Sequence, residues 1–120
     1  MRFQVNGSQR ETRVEFLRLI PANIATGSAA RDLDGVEEGT YQVTVNKEGT
    51  GDYSITFDSP FVRKPVVVAT ALHASSKLFC TVKSNSTTAC RIIVHSDAGT
   101  ATDPTEIHVM LAGFDTADQI

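Results

Sequence analysis

Apolar and polar residues alternate on both sides of the glycine-rich segment KEGTGD, between positions 41 and 57. The apolar positions are Tyr41, Val43, Val45, Tyr53, Ile55 and Phe57. A period of two around a turn predicts a β-hairpin. The simplest register pairs Val45 with Tyr53, Val43 with Ile55 and Tyr41 with Phe57. All six side chains then lie on one buried face.

Four more strands are predicted after the hairpin. The run PVVVATAL, at 65–72, is apolar without alternation, which is typical of a central strand covered on both sides. LFCTVKS (78–84) and ACRIIVHS (89–96) follow, and a last strand is expected at 106–114. Six strands beyond residue 40, with short turns between them, predict an all-β fold, an antiparallel β-sandwich of jelly-roll or lectin-like type.

The two cysteines lie on the predicted core faces of neighbouring strands. Cys80 shares a face with Leu78 and Val82, and Cys90 shares one with Ile92 and Val94. Matching these faces places Cys80 opposite or diagonal to Cys90. Buried, reduced thiols are the favoured interpretation for a cytosolic product. A disulfide between them stays open as the alternative.

The first 39 residues have a different composition. RVEFLRLI, at 13–20, fits a strand carrying Val14 and Phe16 or a short amphipathic helix carrying Val14, Leu17 and Ile20, and the strand is favoured. Residues 23–39 are rich in Ala, Gly and Asp. We therefore expect an N-terminal arm, strand and loop at 1–39 and the sandwich domain at 40–120, with six to seven strands in all.

Composition narrows the function classes. The net charge of −3 and the absence of a basic run argue against nucleic acid and membrane surfaces as partners. No secretory signal follows Met1, so we expect synthesis in the cytoplasm without secretion.

No motif points to catalysis, a cofactor or a metal. The candidates considered were His73, His95, His108, the segment Asp32–Gly35 with Glu37 and Glu38, and the pair Asp97 and Asp103. The histidines lack the close spacing of metal ligands, and the acidic segment lacks the ligand pattern of a calcium loop. We expect a protein that is not an enzyme, with no catalytic, cofactor-binding or metal residues.

The stretch TYQVTVNKEGTGDYSITFDSPFVRKPVVVATAL resembles a module of tailed-phage structural proteins. TEIHVMLAGFDT, at 105–116, is similar to the closing strand of that module, so the resemblance covers about 40–114. It implies a small β-sandwich, often trimeric, related in shape to H-type lectin domains. Such modules occur on virion surfaces and at fibre tips.

The short chain and the lack of Trp favour a virion subunit that stands alone, a capsid decoration (cement) protein or head fibre. The expected partners are copies of itself, with a trimer favoured, and the major capsid protein or another virion protein. The alternative is a carbohydrate-binding module at a tail-fibre tip, with Tyr53 or His73 contacting a host surface glycan. If the arm mediates assembly, its anchors are Phe3, Phe16, Leu17, Leu19 and Ile20. RVEFLRLI could equally be one more core strand.

Overall fold

A computed structural model describes residues 2–5, 8–27, 29–30, 36–38 and 43–114, and the side-chain surroundings of 12–27 and 43–114. Its strands are β1 (Arg2–Val5), β2 (Ser8–Leu19), β3 (Ala29–Ala30), β4 (Val36–Glu38), β5 (Val43–Gly49), β6 (Asp52–Phe57), β7 (Val66–Leu72), β8 (Leu78–Asn85), β9 (Ala89–Ser96) and β10 (Glu106–Phe114). A short 3-10 turn spans Pro21–Asn23. The predicted all-β class is confirmed, and β5 to β10 are the six strands expected after residue 40.

The strands form two antiparallel sheets, compatible with a sandwich. The first sheet has the order β1-β2-β10-β7, with β4 also paired to β2. The second has the order β3-β5-β6-β9-β8. Fifteen apolar side chains make one buried cluster between them: Leu17, Leu19, Ile24, Val43, Val45, Tyr53, Ile55, Phe57, Phe61, Cys90, Ile92, Val94, Ile107, Val109 and Leu111.

The hairpin of β5 and β6 has the predicted buried face but a different register. Val45 pairs with Ile55 and Val43 with Phe57, two residues away from the expected partners. The reason is that β5 continues to Gly49, so the turn is much shorter than KEGTGD, and that a bulge between Lys47 and Gly49 then moves the register back by one residue. A shift of two residues leaves every side chain on the same face. Tyr41 lies outside the described residues.

Gly51 explains why this turn can be so tight. It has a φ of 65°, which glycine adopts at little cost, and a Cβ there would lie 2.5 Å from the carbonyl oxygen of Val94. The amide of Val94 also donates to the Gly51 carbonyl at 2.7 Å. The turn is therefore packed directly on β9.

β7 is not the central strand that its apolar run predicts. Within the described part of the chain it pairs with β10 alone, which places it at the edge of the first sheet. Its outward residues, Val66, Val68, Thr70 and Leu72, are exposed, whereas Val67, Ala69 and Ala71 pack on the core. The run is apolar on both faces, but the core covers only one.

β2 confirms the strand interpretation of RVEFLRLI and reverses its predicted face. Leu17 and Leu19 are buried, whereas Phe16 is exposed. β2 pairs with β10 from Thr12 to Leu19, so this part of the predicted arm lies inside the first sheet. The core face of β2 also carries Arg13 and Glu15, which is why hydrophobicity alone selects the wrong side.

The predicted juxtaposition of the cysteines is wrong. Cys80 pairs with Val94, and Cys90 pairs with Asn85. The turn between β8 and β9 lies later in the chain than expected, and a bulge between Val82 and Ser84 reverses only one residue of the resulting shift. Both thiols are free in the structure.

Candidate assembly surface

The outward side of the first sheet carries a continuous apolar surface. Its members come from β2, β7 and β10 and are called the outer apolar face below: Val14, Phe16, Val66, Val68, Met110 and Ala112. Met110 lies between Phe16 and Val68, and Ala112 lies between Val14 and Val66. Because directly opposed side chains in a sheet are about 5 Å apart, the two rows form one patch.

The exposed side chains of this patch are large. Val66 is 65% exposed, Phe16 56%, Val68 47% and Met110 36%. Isolated apolar residues on a protein surface are ordinary, but a contiguous group across three strands is typical of an interaction site. A shallow groove lies beside the patch. It is lined by Phe16, Val68 and Met110 and by the next row of the sheet, which consists of Arg18, His108 and Thr70.

That next row is polar and borders the patch on one side. His108 lies between Arg18 and Thr70, and all three are exposed. The Nε2 atom of His108 is 2.9 Å from Oε1 of Glu106 on the same strand. An apolar centre with a polar border is the usual anatomy of a protein–protein interface.

A buried ion pair explains why Phe16 points outward. Arg13 and Glu15 lie on the core face of β2, with fully buried side chains, and Arg13 Nη2 is 2.5 Å from Glu15 Oε2. Arg13 Nη1 donates to the Ser59 carbonyl at 2.6 Å, and its guanidinium lies 4.0 Å above the centre of the Phe61 ring. Side chains alternate along a strand. Because Arg13 and Glu15 point towards the core, Val14 and Phe16 point to the outward face.

The predicted assembly anchors therefore lie in different environments. Phe16 lies in the outer apolar face. Leu17 and Leu19 are 3% and 0% exposed in the core, so they are unavailable as anchors. Ile20 is half-buried, and Phe3 lies in β1, where only the backbone is described. The sequence interpretation missed Val66, Val68 and Met110, although the alternation in EIHVMLAGF already places Met110 opposite the core residues.

A cluster of hydrogen bonds to Asp103 holds the long loop that precedes β10. Asp103 accepts hydrogen bonds from Lys47 Nζ at 2.7 Å, the Gly51 amide at 2.7 Å and the Tyr53 hydroxyl at 2.5 Å. Burial raises the pKa of Tyr53, and the bond to Asp103 adds to that shift. The Tyr53 ring is fully buried, so it cannot stack on a glycan as the tail-fibre alternative expected. His73 is half-buried, beside Ser75.

The candidate metal ligands whose side chains are described do not form a metal site. The side chains described at 12–27 and 43–114 contain no group of three His, Cys, Asp or Glu able to hold a metal. His95 lies beside Phe79 and Thr81 on the second sheet, whereas His108 lies on the first sheet. Asp97 is exposed, and Asp103 is bonded to Lys47. Asp32–Gly35 lies outside the described residues, and only the backbone of Glu37 and Glu38 is described.

The cysteines are expected to be slow nucleophiles. Burial raises the pKa of Cys80 to about 11 and that of Cys90 to about 12, so little thiolate exists at neutral pH. We predict that iodoacetamide at pH 7 labels neither thiol appreciably in the folded protein and both after denaturation in urea. Mass spectrometry of the labelled protein measures this. Rapid modification of native Cys90 would contradict the buried position.

No helix among the described residues is long and apolar enough to cross a bilayer. Comparisons of the chain with models of protein families, with curated proteins and with solved structures find no match.

Proposed function

We propose that the protein is a non-enzymatic virion structural subunit that decorates a capsid as a homo-oligomer, as a cement protein or head fibre. The observation that carries this proposal is the outer apolar face. Phe16, Val68 and Met110 form its central row and are each more than a third exposed. The face is the surface that docks on the major capsid protein or another protein of the particle.

The chemistry of the face supports protein binding. Burying a side chain the size of Phe, Val or Met contributes about 1.5–3 kcal/mol relative to leaving it in water. Aromatic residues, Met and Arg are enriched at protein interfaces, and the face has Phe16 and Met110 in its centre with Arg18 at its border. The backbone beneath the face is held in a hydrogen-bonded sheet before binding, so the entropy lost on association is mainly that of the side chains.

The setting in a virion is supported by the resemblance of 40–114 to tailed-phage structural modules. The strands β5 to β10 and the two-sheet architecture are compatible with such a module. The glycan-binding alternative has less support because Tyr53, one of its two proposed contacts, is buried.

Phe16→Lys should weaken binding to the particle at least tenfold, because it places a charge in the centre of the docking surface. Phage particles that lack the protein are mixed with purified wild type or variant, and bound protein is measured by co-sedimentation. The matched control is Phe79→Lys on β8. Phe79 is 47% exposed but lies on the other sheet, and this variant should bind like wild type.

Both variants alter exposed positions, so their unfolding free energies should stay within about 0.5 kcal/mol of wild type. Equal binding by the Phe16→Lys and Phe79→Lys variants would exclude the outer apolar face as the docking surface. Absence of the protein from purified wild-type particles would overturn the virion proposal itself.

A further inference from the structure

The edge of β7 lacks the features that usually protect a sheet edge from pairing. No charged residue occurs between Val66 and Leu72, and the strand runs for seven residues without a bulge. Natural edge strands are commonly short, bulged or charged, because an open row of backbone N–H and C=O groups pairs readily with another strand. β7 is neither short nor bulged, and it carries no charge.

β8, the edge of the second sheet, shows the contrast. It carries Lys83 and a bulge between Val82 and Ser84. Both are devices that prevent edge pairing. The remaining edge strand of the second sheet, β3, is only two residues long. Among the described strands, the edges of the second sheet are therefore protected, whereas β7 carries none of these features and is hydrogen-bonded to no strand other than β10.

The backbone of β7 is hydrogen-bonded on one side only. Among the described strands its single partner is β10. The backbone N–H and C=O groups along its other edge therefore lack a strand with which to pair.

We propose that the missing strand is β7 of a second copy, paired antiparallel across a two-fold axis, so that the first sheets of two copies form one continuous sheet. A two-fold axis brings the same segment of both copies together, which requires a self-complementary strand. β7 meets this requirement because it is uncharged throughout, so no like charges oppose each other.

A register centred on Ala69, the middle residue of β7, pairs all seven residues of the strand. Val68 then lies opposite Thr70 of the other copy, and Val66 lies opposite Leu72, all on the outward side. On the inward side Val67 lies opposite Ala71, and the Ala69 residues of the two copies meet at the axis.

This inference rests on the proposed homo-oligomeric function but uses the backbone edge of β7, which borders the outer apolar face and shares Val66 and Val68 with it. In the paired dimer the two outer apolar faces lie side by side and stay free to dock on a particle. Phe16→Lys therefore leaves dimerisation of the purified protein unchanged, while changes in β7 alter it without any particle present. Failure of one proposal is thus distinguishable from failure of the other.

The test is a charge exchange across the axis, measured by sedimentation velocity of the purified protein over a range of concentrations. Wild type should dimerise. Val68→Glu alone and Thr70→Lys alone should each weaken dimerisation at least tenfold, because each places two like charges diagonally across the axis. An equimolar mixture of the two variants, and the double variant in one chain, should regain the dimer, since each Glu then faces a Lys.

Two further measurements keep the outcome decisive. Thr81→Lys, an exposed position on β8, is the matched control and should dimerise normally. Hydrogen exchange should show alternate amides of β7, those not bonded to β10, becoming protected as concentration rises. A monomer at all concentrations would overturn the proposal. So would a trimer, loss of the dimer in Phe16→Lys or Thr81→Lys, or failure of the charge exchange to restore pairing.

Discussion

Glu15→Ala is expected to lower the free energy of unfolding by about 3–5 kcal/mol, because it removes one partner of a buried ion pair. The side chains of Arg13 and Glu15 are both completely buried. Urea denaturation followed by circular dichroism measures the change.

The matched control replaces both charges. A variant with Arg13→Met and Glu15→Leu removes the desolvation cost together with the attraction, so its stability should lie much closer to that of wild type than the single variant's. If the single and double variants lose equal stability, the residues act through packing and not through the ion pair.

Asp103→Ala should destabilise the fold by about 2–4 kcal/mol, because it removes three hydrogen bonds and leaves Lys47 buried without a partner. The Lys47 side chain is only 9% exposed, and the Asp103 side chain is 31% exposed. The control in the same loop is Asp97→Ala. Asp97 is exposed, so its replacement should change stability by no more than about 0.5 kcal/mol. Urea denaturation and limited proteolysis of the loop at 97–105 give the two readouts.

Asp103 should also make stability depend on pH. Burial alone would raise its pKa, but the bonds from Lys47, Tyr53 and the Gly51 amide together lower it. A carboxyl with a lowered folded pKa stabilises the protein fully above its unfolded value, about 3.9, and loses that contribution as the pH falls through the folded pKa. The stability difference between wild type and Asp103→Asn should therefore be constant from pH 7 to about pH 5 and shrink below pH 4. A difference that grows on acidification would contradict this sign.

The alternation of apolar residues was sufficient to predict the all-β class, the six later strands and the buried face of the hairpin. It could not give the register, because a shift of two residues preserves every face. The length of the turn and the bulge between Lys47 and Gly49 together decide the register, and Gly51 permits a turn shorter than the run KEGTGD suggests.

The two larger errors have one physical origin, since an apolar pattern does not reveal what covers it. β7 has the composition of a central strand but lies at an edge with one open face. β2 buries Arg13 and Glu15 and exposes Phe16, so its core face is the more polar one. Both exceptions lie on the same sheet, and both turn apolar side chains outward.

The assembly surface was only partly predictable. Phe16 was a candidate from the sequence, but Val68 and Met110 join it only because β2, β10 and β7 are neighbours. These strands are far apart in the chain, and their pairing depends on the tertiary fold. The buried ion pair, which sets the direction of Phe16, has no signal in a hydrophobicity pattern.

The most direct test of the account is a cryo-electron microscopy reconstruction of phage particles that carry the protein. The account predicts density for the β-sandwich on the capsid surface, with Phe16, Val68 and Met110 turned towards the protein beneath. Particles with the sandwich in place but with that face exposed to solvent, or particles without the protein, would contradict it.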